Sequence, residues 1–125
     1  MIPGKGPRHP TVRRSFLFAV QVFRTAINEE RNIKIILWVG AITIVAGILV
    51  GLDPVSWAIV LMCCGTVVSA ELLNTAVERV VDLVSPEFHP LAGQAKDIAA
   101  AGVWVLCMVV AIVGILVFGH ALFFS

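Results

Sequence analysis

Apolar positions fill three stretches of the chain, 35–52, 54–70 and 98–125, and charged residues are confined to short groups between and before them. A helix that crosses the hydrocarbon of a bilayer needs about 20 mostly apolar residues, so the pattern predicts three spans. The second stretch reaches that length only by running on through Glu71 toward Val77, which puts polar groups at one end of the membrane. No strand-like alternation interrupts the runs, and an open sheet leaves its edge groups unsatisfied in lipid. The predicted fold is all-α, one membrane domain over 1–125, with helices at 33–52, 55–84 and 98–123 containing the spans.

Upstream, Phe16, Ala19, Val20, Phe23 and Ile27 recur at helical spacing, while Arg13, Arg14, Gln21, Arg24 and Asn28 share the other side. This predicts an amphipathic helix over 13–30 lying along the membrane surface, either as a lipid anchor or as part of an active-site wall. Residues 1–12, "MIPGKGPRHPTV", hold Pro3, Pro7, Pro10, Gly4 and Gly6 and are expected to be a disordered lead. "EERNIK" at 29–34 leads into span one. "LDP" at 52–54 makes a tight turn with Pro54 at a helix start. "SPEFHPLAGQAKD" at 85–97, with two prolines and Gly93, is expected to be an ordered loop before span three.

Composition sharpens this picture. Hydrophobic residues make up 59% and charged residues 14% of the chain, with a mean hydropathy of +0.99, which excludes a soluble domain of this size. Of the nine basic residues, Lys5, Arg8, Arg13, Arg14, Arg24, Arg31 and Lys34 precede span one, and Arg79 and Lys96 fall between spans two and three. The turn between spans one and two carries only Asp53. The positive-inside rule therefore predicts a cytoplasmic N-terminus and second loop, with the C-terminus outside. The charged leader before the first span argues against a cleaved signal. A net charge of +1 gives no basic surplus for nucleic acid. Cys63, Cys64 and Cys107 lie inside apolar stretches without metal-binding or redox spacing, and are read as packing residues.

The chemistry is concentrated in "ELLNTAVERVVD", residues 71–82. On a helix advancing 100° per residue, Glu71, Glu78 and Asp82 fall within about 20° of one line and Asn74 about 60° to one side, so the four make one polar stripe. Counted from Val55, Glu71 lies roughly 24 Å along the axis, with Glu78 and Asp82 about 10 and 16 Å further out. Placing a carboxylate in the membrane costs a few kcal/mol, which marks such a residue as functional by default. A carboxylate at this depth can take a proton from a lipid hydroxyl. Glu30, at the approach to span one, is at the right height to join Glu78 at a Mg²⁺ ion, which takes a few oxygen ligands plus substrate phosphates. Lys96 and Asp97 are placed to reach nucleotide phosphate or ribose. The phosphate loops and catalytic motifs of soluble kinases are absent from the sequence.

"ELLNTAVERVVDLVSPEFHPLAGQAKDIAAAGV", residues 71–103, closely resembles the signature of the small prokaryotic diacylglycerol kinase family, which includes undecaprenol kinases. With "NEERN" before span one and the spans in the same order, the resemblance covers nearly everything after the first dozen residues. It implies a three-span inner-membrane homotrimer with active sites shared at subunit boundaries, transferring the γ-phosphoryl of MgATP to a lipid hydroxyl. Carried over by position, it implies Glu71 as general base with Asn74 beside it, and Glu30 and Glu78 as the carboxylates holding the metal. It further implies Lys96, Asp97, Glu87, Phe88 and His89 as nucleotide-site residues, leaving Asp82 with a less certain role. Phe88 stands where the family often has tyrosine, so a phenolic hydrogen bond is lost there. Arg14 aligns loosely, and His89 suits the loop or the nucleotide edge better than a metal.

The "ERN" step and the proline-containing loop resemble the undecaprenol kinases of Gram-positive bacteria more than the diacylglycerol kinases of Gram-negative ones, so a polyprenol acceptor is preferred and diacylglycerol is the alternative. Trp38, Trp57 and Trp104 are read as packing or interface residues. A small ion or proton transporter built around Glu71, or a silent scaffold, are the readings from other classes.

Overall fold

The structure, a computed structural model, describes residues 11–124. Most of the lead expected to be disordered lies outside the described residues; Thr11 and Val12 already belong to the first helix and its cap.

Four helices follow one another: α1 (Val12–Glu29), α2 (Arg31–Val50), α3 (Pro54–Val84) and α4 (Pro90–Phe124). The hydroxyl oxygen of Thr11 caps α1 by accepting from the Arg14 backbone N–H at 3.2 Å. A single extended residue, Glu30 (φ −104°, ψ 114°), ends α1 and begins α2. Gly51 ends α2 in the left-handed region at φ 79°, where its N–H donates to the Gly47 carbonyl. Asp53 then caps α3 through Ser56, whose N–H and hydroxyl donate to Oδ2 and Oδ1 at 3.4 and 2.6 Å. These bonds, the hydroxyl's first, hold the Asp53 carboxyl below the usual carboxylate range.

The break before span three is shorter than the sequence suggests. It occupies 85–89, and α4 starts at Pro90 rather than at 98. Proline needs no hydrogen-bonded N–H at the start of a helix, and the Nδ1 of His89 accepts the Leu91 N–H at 3.1 Å. What reads as a chain breaker is therefore a helix start. Gly93 is carried inside the first turns of α4 with open space around it.

α2, α3 and α4 are each long and apolar enough to cross a membrane. α3 and α4 form the most extensive pair, with α2 laid against α3. At the end near the α2–α3 turn, Leu52, Val60 and Val117 form a small apolar core, bordered by Trp57, Val113 and Phe118. Gly47 permits the approach of α2 to α3: a Cβ there would lie 2.8 Å from Cη2 of Trp57 and 3.0 Å from Cδ1 of Leu52. Trp57 thus packs, whereas Trp38 and Trp104 are exposed. The hydroxyls of Thr43 and Thr66 donate back to the carbonyls of Val39 and Met62 at 2.8 Å, so neither brings an unsatisfied donor into lipid. Between α2, α3 and α4 runs an apolar groove of about 800 Å³, walled by residues such as Ile36, Val67, Val68, Cys107 and Phe118.

Candidate active site

The second half of α3 buries polar residues instead of apolar ones. Glu71, Asn74 and Thr75 are 5%, 8% and 7% exposed, and their i, i+3, i+4 spacing sets them on one face. At the start of α2, Ile33 is 1% exposed. The salt bridges from Arg79 of α3 to Glu29 and Glu30 hold the α1–α2 link against α3, at 3.2 and 3.4 Å. These are largely exposed pairs, so each contributes at most about 1 kcal/mol.

Around Glu71 the polar neighbours are two side-chain amides, Asn32 from α2 and Asn74 one turn along α3, with Glu30 and Glu78 close enough to act on it electrostatically. The Nδ2 of Asn74 donates to Oε1 of Glu78 at 3.3 Å, which fixes the orientation of the amide. Its Oδ1 is buried without a hydrogen-bond partner. Buried acceptors are seldom left unpaired, so an unpaired one beside a buried carboxyl marks a place for an incoming donor.

The stripe continues to Asp82, which pairs with Lys96 of α4; Glu78 also acts on that ammonium. A cavity of about 260 Å³ opens here, lined by Asp82, Ser85, Glu87, Phe88, His89 and Lys96 among others. The Ser85 hydroxyl donates to the Glu87 carbonyl at 2.9 Å and stiffens the loop. Phe88 is 91% exposed, its ring free to be covered by a planar group. His89 is occupied as the cap of α4, in keeping with a loop role. Asp97 is exposed and is not among the residues lining this cavity.

A single chain thus gathers Glu30, Glu71, Asn74 and Glu78 on one side and Lys96 with the 87–89 loop on the other, with Glu78 acting on both groups. Among the described residues no three His, Cys, Asp or Glu side chains converge as a metal cage. A Mg²⁺ ion that arrives on a nucleotide does not require one, because phosphates and water supply most of its ligands. Sequence reasoning missed Asn32, missed Arg79 as the partner of Glu29 and Glu30, and gave Asp82 no partner. The one available signal was that Asn32 is the polar, uncharged residue of the step into span one.

Three helices long and apolar enough to cross a membrane, with Glu71 and Asn74 buried in the second half of the middle one, make this a multi-pass membrane protein. The chain belongs to the prokaryotic diacylglycerol kinase family, whose model matches residues 17–118. It is a lipid kinase, and ATP use follows from that membership. It is 37% identical over 105 residues to the undecaprenol kinase of Bacillus subtilis, spanning 84% of this chain and 85% of that protein. It is also 37% identical over 106 residues to a diacylglycerol kinase of Synechocystis, spanning 84% of this chain and 61% of that one. A diacylglycerol kinase of Helicobacter pylori is 29% identical over 100 residues, 80% of this chain and 78% of the other.

Proposed function

We propose that the protein transfers the γ-phosphoryl of ATP to the hydroxyl of a polyprenol, undecaprenol foremost, at the cytoplasmic surface of a bacterial inner membrane. The observation that carries this reading is the burial of Glu71 within a spanning helix, between two amides and beside the unpaired acceptor of Asn74. A lipid alcohol is anchored by its tail, so its hydroxyl reaches the reaction from the membrane side, while ATP arrives from water. A base at the depth of Glu71, with nucleotide residues further along the same helix and loop, suits both partners.

In this mechanism Glu71 accepts the hydroxyl proton as the alcohol oxygen bonds to the γ-phosphorus and the bond to the ADP oxygen breaks. Asn74 steadies Glu78 through Nδ2 and keeps its uncharged amide beside the base. Lys96 exchanges part of its contact with Asp82 for phosphate oxygens, adding positive charge where negative charge develops. Glu87, Phe88, His89 and Asp97 surround the nucleotide. Mg²⁺ accompanying ATP would be held by Glu30 and Glu78, hard oxygen donors suited to it, and supplies charge neutralisation on the phosphates. Alignment of the reacting atoms does the rest.

The whole assembly is a homotrimer with sites completed across subunit boundaries, the N-terminus and second loop in the cytoplasm and the C-terminus outside. Three short spans have little surface with which to enclose both a nucleotide and a lipid headgroup, and this supports the shared site. The basic residues before span one and at Arg79 and Lys96 support the orientation.

Two features favour a polyprenol over diacylglycerol. The relative named an undecaprenol kinase matches over most of both chains. The apolar groove reaches Val68, one turn from Glu71, and offers its occupant scarcely any polar partner, with Thr43 already bonded to Val39. That suits an isoprenoid tail better than the ester groups of diacylglycerol. Diacylglycerol remains the second acceptor, on the family's name and its other relatives. The test is competition between undecaprenol and diacylglycerol in mixed micelles with γ-labelled ATP, the lipid phosphates being resolved by chromatography. Undecaprenyl phosphate is expected to predominate at equal acceptor concentration; predominant phosphatidic acid overturns the polyprenol assignment.

A further inference from the structure

Glu30 is the single extended residue between α1 and α2, so its carboxylate takes no register from either helix, and it makes no side-chain cap bond. It is held from α3 instead: Nη2 of Arg79 donates to Oε1 of Glu30 at 3.4 Å and to Oε2 of Glu29 at 3.2 Å. One guanidinium nitrogen therefore spans the last residue of α1 and the residue that opens α2. α1 packs along α2 and scarcely on α3, so its tie to α3 is an ion pair rather than an apolar contact. Arg79 directly follows Glu78, about 1.5 Å further along the helix axis, and a link fastened to it presents Glu30 at the level of Glu78. The bond engages Oε1, and a carboxylate has a second oxygen to offer a metal ion.

We propose that Arg79 is a positioning residue for nucleotide binding: by bridging Glu29 and Glu30 it holds the Glu30 carboxylate beside Glu78 before MgATP arrives. Two carboxylates brought to one place repel each other, and the guanidinium supplies the opposite charge that lets them stay there. Without Arg79 the incoming nucleotide and its metal have to draw the link back onto α3, and that ordering is subtracted from affinity. Turnover is little changed, because the bound complex is the same once formed. Glu29 shares the guanidinium from the α1 side, so the surface helix is part of the same clasp. The side chains of Arg79 and Glu29 are more than half exposed, which makes the clasp sensitive to salt and limits each bond to about a fivefold effect.

The inference rests on Glu30 holding the metal of ATP, and the test separates the two. The full chain in mixed micelles with undecaprenol is compared as wild type, Arg79→Gln, Arg79→Lys, Glu30→Gln and the double variant Arg79→Gln/Glu30→Gln. On each sample, kcat and KM for ATP are measured at saturating Mg²⁺, and thermal unfolding is recorded. Binding of a non-hydrolysable ATP analogue with Mn²⁺ is followed separately by electron paramagnetic resonance of the ion, which needs no turnover. Arg79→Gln is expected to raise KM for ATP and Kd for the analogue by about 3- to 10-fold, with kcat within about twofold of wild type. Arg79→Lys, which keeps the charge, is expected to recover part of that affinity. The ratio between wild type and Arg79→Gln is expected to shrink toward one between about 0.05 and 0.5 M NaCl, as screening grows. In the Glu30→Gln background Arg79→Gln is expected to change Kd for the analogue by less than about twofold. Unchanged binding in Arg79→Gln, a loss confined to kcat, or an undiminished further loss in the double variant overturns the proposal. Tighter binding in Arg79→Gln also overturns it, by showing that Arg79 competes with the metal for Glu30. Wild-type activity and analogue binding in Glu30→Gln instead overturn the reading of Glu30 on which it rests.

Discussion

The two halves of α3 solve opposite problems. The half beginning at Pro54 is built to pack: Val60 is buried with Leu52 and Val117, Trp57 lies over Gly47, and the N-terminus is closed by Asp53. The half ending at Val84 buries Glu71, Asn74 and Thr75 in place of aliphatic side chains and leaves the Asn74 oxygen unpaired. A helix selected for stability alone would not do this, because each ionisable or unsatisfied group in the membrane costs on the order of 1–3 kcal/mol. The difference teaches that apolar packing and buried polar groups are segregated along a single helix, which is what the proposed chemistry requires.

Substitutions in the two halves should therefore fail in different ways. Among residues other than Glu71, the largest effect is expected for Asn74→Ala, with kcat for lipid phosphorylation down about 100-fold as Glu78 loses its steadying amide, while the unfolding temperature holds. A parallel loss of both would break the contrast. Next comes Gly47→Val, where the new side chain runs into Trp57 and Leu52: thermal unfolding in micelles is expected to show about 1–3 kcal/mol of destabilisation with near-normal kcat at low temperature. The smallest is Asp53→Ala, which removes the α3 cap and lowers the unfolding temperature slightly. Because folding lowers the pKa of Asp53, its contribution is present above the unfolded-state pKa and is lost as pH falls through the folded one. The gap between wild type and Asp53→Ala should then close on acidification below the usual carboxylate range, and a gap independent of pH would show that the charge is irrelevant there.

Much of this was legible in the sequence because membrane helices announce themselves by run length, and because Glu71, Asn74 and Glu78 align at helical spacing. The same spacing gave the stripe its continuation to Asp82, but it carried no information about neighbours on other helices. That is why Lys96 as the partner of Asp82, Arg79 as the partner of Glu29 and Glu30, and Asn32 beside Glu71 emerged only with the fold. The start of α4 was misplaced because proline signals both a break and a first turn, and the His89 cap that decides between them is a three-dimensional feature. The close approach at Gly47 was equally hidden, since a glycine in an apolar run does not name the ring that will cover it.

The most direct test of the segregation is Glu71→Gln, with label transfer from ATP to undecaprenol and thermal unfolding measured on the same purified sample. Replacing a buried acid by its neutral isostere removes the proposed base and leaves the packing intact. The rate of transfer is expected to fall by about 10²- to 10⁴-fold, with the unfolding temperature unchanged or higher. Retained transfer, or a loss of transfer matched by a loss of stability, would contradict the account.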